Sequence, residues 1–182
     1  MSLLSYTELL ELQKRGVIKN SLPDHINGSS IDITLGPTIL VEKQDRLIRT
    51  VSLRGREPLQ MREVKLIAPS DEYVLQPGEF ILAQSEQVFN LPANLSAEYK
   101  LKSSMGRIAL EHMNAGWCDA YWHGSVLTLE LANLTRYHAI RIKVGDFVGQ
   151  VVFFRHTAVP EWAGYAKRGR YNNDKTVQGV KP

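Results

Sequence analysis

The sequence predicts an all-β sandwich or barrel-like domain with one short helix near its N-terminus. Short apolar runs recur at intervals of roughly 8–12 residues, separated by Gly, Pro and Asn turn signals. Only the first stretch carries helical spacing. The 182 residues, 43% hydrophobic and 23% charged, suit one domain with a real core and are too few for two comfortable ones.

The helix is expected over about 5–15. Ser5-Tyr6-Thr7-Glu8 reads as a capping box, Leu9, Leu10 and Leu12 supply the apolar face, and Gly16 is a natural stop. Ile31, Ile33 and Leu35 alternate with Asp32 and Thr34, the period of a half-buried strand, which Gly36-Pro37 is expected to end. Thr38 to Val41 and Val64 to Ala68 read as short strands, with a charged loop or irregular hairpin over 42–62 between them. Tyr73 to Leu75, a Pro77-Gly78 turn and Phe80 to Ala83 read as strand, turn, strand. After a break at 91–95, strands are expected over Ala97 to Leu101, Val126 to Leu131, Ala139 to Val144 and Phe147 to Phe154. The body is read as one domain over 1–164. Residues 165–182 are polar, basic and without period, either a frayed tail or a segment that orders over an anionic ligand.

Composition narrows the function. The net charge of +3 is mild and does not demand a nucleic-acid surface, while it would favour an anionic small ligand. A single cysteine, Cys118, excludes an internal disulfide and a zinc site built on paired cysteines, and fits a reducing compartment. No signal-peptide pattern and no apolar run of about 18 residues is present. The expectation is a soluble cytoplasmic protein with no membrane partner and no nucleic-acid partner.

The polar groups that could do chemistry gather between Tyr99 and Asn133. Leu127, Leu129 and Leu131 share one strand face, so Thr128 and Glu130 share the other. Alone, Glu130 is a solvent-facing strand residue; Ser103, Arg107 and Asp119 nearby in the chain argue for a site. Ser103-Ser104-Met105-Gly106-Arg107 offers two hydroxyls, a flexible glycine and a guanidinium, a plausible phosphate grip. It reads equally as a polar loop entering a serine-capped short helix. The run 114–119 reads as a small-residue hairpin element that could bring backbone groups to a base edge, or as a simple tight turn. His112 and His123 lack HxH or HExxH spacing, so no metal site is assigned.

Taken together, PGEFILAQ (77–84), SSMGR (103–107), AGWCDAYWHG (115–124) and LTLE (127–130) resemble the dCTP deaminase branch of the dUTPase-like superfamily. GSSID (28–32), Gly149-Gln150 and GRYNN (169–173) fit in the same order, so the resemblance covers most of the chain. It implies a homotrimer of distorted jelly-roll, dUTPase-type subunits with active sites between neighbours. It also implies hydrolytic deamination of dCTP at C4 without zinc, and the chain indeed lacks the H-x-E…P-C-x-x-C apparatus of zinc deaminases.

Carried onto this sequence, the resemblance makes Glu130 the catalytic acid/base. Ser103 and Arg107 hold the attacking water and stabilise charge. Arg107 and Ser104 reach the phosphates, and Gln150 joins the substrate-binding set. Asp119 binds the deoxyribose 3′-hydroxyl, backbone groups at Asn114 and Ala115 read the base, and Tyr165, Arg170 and Tyr171 close over the triphosphate. Mg2+ rides on the triphosphate rather than on protein ligands. AGWCD looks like the form of bifunctional members that carry dCTP to dUMP, since monofunctional deaminases tend to have histidine where Gly116 stands. Relative to the family pattern, Asn114 replaces a threonine, one residue is missing between Arg107 and Ala115, and one is added between Asp119 and Glu130. The alternatives are a deaminase alone, a dUTP pyrophosphatase alone, or a non-catalytic nucleotide-binding module on the same fold.

Overall fold

Period-two alternation and the breaks between apolar runs become twelve strands among the described residues, 1–44 and 48–181, of a computed structural model. The strands are β1 (Ser2–Leu3), β2 (Ile18–Lys19), β3 (Ile31–Glu42), β4 (Met61–Lys65), β5 (Tyr73–Leu75) and β6 (Phe80–Asn90), followed by β7 (Leu95–Leu101), β8 (Leu110–Glu111), β9 (Trp117–Cys118), β10 (His123–Asn133), β11 (Ile140–Ile142) and β12 (Phe147–Arg155). Three short α-helices accompany them: α1 (Tyr6–Lys14), α2 (Ser103–Gly106) and α3 (Tyr165–Arg168). Ten strands form one sheet in the order β8-β10-β6-β3-β12-β7-β9, with β1 on β12, β2 on β6 and β4 on β3; β5 and β11 pair separately. The sheet curls into a half-barrel, so the fold is mainly β as expected. Its concave side is filled by Leu127, Leu129 and Leu131 of β10 with Ile31, Ile33, Leu35, Ala97, Val151 and Phe153.

Helix α1 starts where the capping pair places it: the Ser5 N–H donates to Glu8 Oε2 at 3.1 Å. It buries Leu9 and Leu12 and ends before Gly16 at φ +70. β3 departs from expectation twice. It runs on through Gly36-Pro37 because its register with β6 shifts between Leu35 and Ile39. At that irregularity a Cβ on Gly36 would stand 2.9 Å from the Ser85 carbonyl oxygen, and the proline's missing N–H breaks no ladder bond there. β3 is also buried on both faces rather than one. Thr34 is tolerated inside because its hydroxyl donates to Glu86 Oε2 at 2.6 Å and its N–H to Gln87 Oε1 at 3.0 Å. Asp32 is held by Asn27 Nδ2 at 2.8 Å and Lys102 Nζ at 2.6 Å.

The expected 42–62 loop carries no strand over 43–44 and 48–60, and its residues 45–47 lie outside the described set. The run 114–119 is not a hairpin: β8 pairs with β10 and β9 with β7, so the segment crosses between the two ends of the sheet. The tail is packed down rather than frayed. Val177 is 3% exposed and donates its N–H to Gln84 Oε1 at 3.1 Å, across the β6–β10 seam.

Tyr99 fixes the β7 end of the sheet. A Cβ on Gly149 would sit 2.0 Å from its Cε2, and one on Gly116 would sit 2.6 Å from its carbonyl oxygen. Both glycines are therefore there to admit the tyrosine. Gly149→Ala is expected to cost about 1–3 kcal/mol of stability in urea denaturation, with part recovered by adding Tyr99→Leu. An unshifted midpoint for Gly149→Ala would contradict this packing.

Candidate active site

The apolar run Phe80-Ile81-Leu82-Ala83 explains where the site lies. Ile81 and Ala83 face the core, which leaves Phe80 and Leu82 on the opposite face, and Leu82 pairs in register with Glu130. The carboxylate thus projects from the side of β10 away from the core, beside an apolar neighbour rather than into open water. A cavity of about 390 Å³ forms over this face. Its floor and walls come from Phe80, Leu82, Thr128, Cys118, Met61 and Leu59, with Glu130 and Asp119 as the acids of the body. The tail supplies the roof through Tyr165, Tyr171, Asp174, Gln178, Gly179 and Val180.

Burial in this cavity pushes the Glu130 carboxyl up to about 7, and only its own backbone N–H works against the rise. Among the described residues no lysine or arginine pairs with it. Burial also raises the Cys118 thiol, with the Asp119 and Glu130 charges adding to it, so the cysteine is a wall and not a nucleophile at neutral pH. Burial raises the Tyr165 phenol as well. Asp119 stays at the exposed mouth, accepting from Trp117 Nε1 at 2.9 Å.

The tail is fastened over the cavity by the turn that leads into β10. Trp122 Nε1 donates to the Tyr171 carbonyl at 2.7 Å, and the His123 N–H donates to Asn172 Oδ1 at 2.7 Å. The Val126 N–H donates to the Asp174 carbonyl at 2.9 Å. Lys181 pairs with Asp174 at 2.5 Å and lies 5.3 Å over the Tyr171 ring.

Of the residues singled out from sequence, Glu130, Asp119, Ala115, Tyr165 and Tyr171 come together around this cavity. Asn114 is exposed just before Ala115, in the left-handed region at φ +54 with Met113 at φ +55 beside it. Arg170 is exposed in the tail and its carbonyl accepts from Lys181. Ser103 and Ser104 on α2, and Arg107 just after it, are exposed and do not line the cavity. Gln150 stands with α2 at the end of the β7–β12 ladder, opposite Lys100, and accepts from Ser30 Oγ at 3.0 Å. Within one chain the predicted residues therefore separate into those around the acid-lined cavity and the exposed Ser103, Ser104 and Arg107 outside it.

Sequence reasoning missed the apolar wall and Lys102. The unbroken apolar run 80–83 signalled a strand covered on both faces. Lys102 caps α2 next to Ser103, and its ammonium is held by Asp32 and lies 5.5 Å from the Phe147 ring. No group of three or more His, Cys, Asp or Glu residues is placed to hold a metal among the described residues, and no helix there is long and apolar enough to cross a membrane.

If burial alone sets the Glu130 pKa, stability must respond to pH with a known sign. Between the ordinary value of 4.5 and about 7 the folded chain keeps a proton that the unfolded chain has lost, so stability falls as pH rises through that window. Glu130→Gln removes this cost and is expected to be more stable than the parent by about 1–3 kcal/mol at pH 8, toward the low end because some solvent reaches the group. Near pH 4 the difference should vanish. Parallel urea curves at both pH values would contradict the assignment.

Comparison with known proteins places the chain in a family. Residues 3–156 match the family model described as dCTP deaminase-like. A protein of Persephonella marina named "dCTP deaminase, dUMP-forming" is 34% identical over 150 residues, spanning 82% of this chain and 79% of that protein. An Aquifex aeolicus protein of the same name is 30% identical over 177 residues, 96% of this chain and 92% of that one. Among solved structures, a 2′-deoxycytidine 5′-triphosphate deaminase from Agrobacterium tumefaciens shares the fold with TM-score 0.64 and 24% identity. That match spans 83% of this chain but only 47% of the solved one. The chain belongs to the dCTP deaminase-like family.

Proposed function

We propose that this protein deaminates dCTP hydrolytically at cytosine C4 and then cleaves the resulting dUTP to dUMP and pyrophosphate. The observation that carries the reading is Glu130: a carboxyl held near neutrality by burial, in a cavity of nucleoside size with Asp119 at its mouth. A group with a pKa of about 7 can both take and return a proton at physiological pH. Glu130 takes a proton from the water that attacks C4, and delivers protons to N3 and to the departing ammonia. The balance is dCTP plus water to dUTP plus ammonia, then dUTP plus water to dUMP plus pyrophosphate.

The second half of the site comes from a neighbouring copy. Glu130 has no cation from the described residues of its own chain, while Arg107, Ser103 and Ser104 face outward on α2. A homotrimer that sets α2 of one subunit against the cavity of the next completes each site. Ser103 and Arg107 then hold the water and stabilise charge, and Arg107, Ser104 and Gln150 take the triphosphate. Asp119 receives the 3′-hydroxyl, and backbone groups at Asn114 and Ala115 read the base edge. Tyr165, Arg170 and Tyr171 close the roof. Mg2+ enters on the triphosphate oxygens, and a cytoplasmic setting suits the free Cys118.

Cleavage through to dUMP is favoured by Gly116, where the packing on Tyr99 leaves no room for a side chain. The names of the Persephonella and Aquifex relatives point the same way.

Incubation of the pure protein with dCTP and magnesium should yield dUMP and pyrophosphate. dUTP alone would reduce the reading to simple deamination, and untouched dCTP would remove it. Glu130→Gln should lower kcat for dCTP by at least about 100-fold while leaving nucleotide binding measurable. Shared sites make a further prediction: Glu130→Gln and Arg107→Ala, each inactive alone, should recover about a quarter of parent activity when reassembled together, because half of each partner type meets at random. No recovery would place the whole site within one chain.

A further inference from the structure

The turn that carries the tail contains a strained residue with no part in the cavity wall. Tyr121 has φ +68, the left-handed region, and is the one aromatic residue with positive φ among the described residues. Such a conformation is costly for any residue with a Cβ and rare for a bulky one. Its ring lies 6.4 Å from that of His123 and packs most closely on Gly164. A Cβ built on Gly164 would lie 2.2 Å from Tyr121 Cδ2 and 2.9 Å from Cγ, so the ring lies directly against the Gly164 α-carbon. Gly164 itself has φ −72 and ψ 159, which any residue adopts. It is glycine for the sake of the ring, not of its own backbone.

Gly164 is where the tail begins. The next residue, Tyr165, donates its N–H to the Ala120 carbonyl at 3.0 Å and lines the cavity. Ala120 and Trp122, on either side of Tyr121, both bond to the tail, at Tyr165 and Tyr171. The strained residue and the obligatory glycine are two halves of one contact at the hinge of the roof.

We propose that Tyr121 is a positioning residue: its ring, seated under Gly164, sets the angle at which residues 165–181 cross the Glu130 cavity. The strain at 121 persists because a residue that relaxed it would release the tail. Tyr121 acts through Tyr165 and does not line the cavity. Its bearing on turnover rests on the deaminase reading, whereas the seat itself does not.

Lys167, Arg168 and Arg170 are exposed in the tail and give trypsin its targets. Tyr121→Gly should speed cleavage at these sites by about tenfold, since cleavage follows the open population of the segment. Its melting temperature should not fall, because glycine accepts positive φ. Tyr121→Phe keeps the ring and should behave as the parent. Gly164→Ala should loosen the tail as Tyr121→Gly does, and Tyr121→Gly combined with Gly164→Ala should be no looser than either alone. In the parent dCTP should slow cleavage, and Tyr121→Gly should need more dCTP for the same protection. Parent-like cleavage of Tyr121→Gly would overturn the proposal, as would cleavage that speeds equally throughout the body with a lower melting temperature. If dCTP fails to protect the parent while Tyr121→Gly still loosens the tail, the deaminase reading falls and the seat stands.

Discussion

A carboxyl group kept out of water without a cation of its own is the constraint on which the rest of this structure turns. A charged glutamate on an apolar wall is unfavourable, and the chain responds by letting Glu130 hold its proton up to about pH 7. That requires Leu82 beside it in register, Met61 and Phe80 in the cavity lining, and a roof made from the tail. Remove the wall or the roof and Glu130 becomes an ordinary solvent-facing strand residue. The fold thus stores, in one group, a proton-transfer capacity that an exposed glutamate lacks at neutral pH.

The same constraint accounts for the division of the site. A guanidinium placed beside Glu130 within the chain would draw its pKa down toward the usual carboxylate range. Arg107 is exposed outside the cavity, and in the proposed trimer that cation would arrive with a neighbouring copy and a nucleotide. Lys102, next to Ser103, is meanwhile tied to Asp32 and braces α2 at the end of the β7–β12 ladder. The roof is held chiefly by the turn over 120–122 and the first residues of β10, through backbone and side-chain hydrogen bonds rather than a large apolar interface. A segment fastened this way can open locally without unfolding the sheet.

Much of this was legible in the residues because period-two alternation survives wherever one strand face is buried. Leu127, Leu129 and Leu131 placed Glu130 on the far face of β10 correctly, and Ser5 to Gly16 delimited α1 within a residue. β3 is longer than its alternation predicts because Gly36-Pro37, a reliable stop in a regular ladder, falls at a register shift where neither residue harms pairing. Alternation alone assigns the buried Asp32 and Thr34 to a solvent face, since Lys102, Glu86 and Gln87, which help hold them inside, lie 50 or more residues away in the chain. The segment 114–119 looked like a hairpin, yet its two short strands pair with different neighbours. The tail carries no period because hydrogen bonds, and not an apolar stripe, hold it down. Separation of Ser103 and Arg107 from Glu130 could not be read from adjacency in sequence; Glu130 lines the cavity while Ser103 and Arg107 are exposed outside it.

The account rests most directly on the proton affinity of Glu130. Its side-chain carboxyl carbon, followed by NMR in the full chain with Glu130→Gln as the assignment control, should titrate with a midpoint near pH 7. A midpoint near the ordinary value of 4.5 would mean that water reaches the group freely and would contradict the acid/base role drawn from its burial.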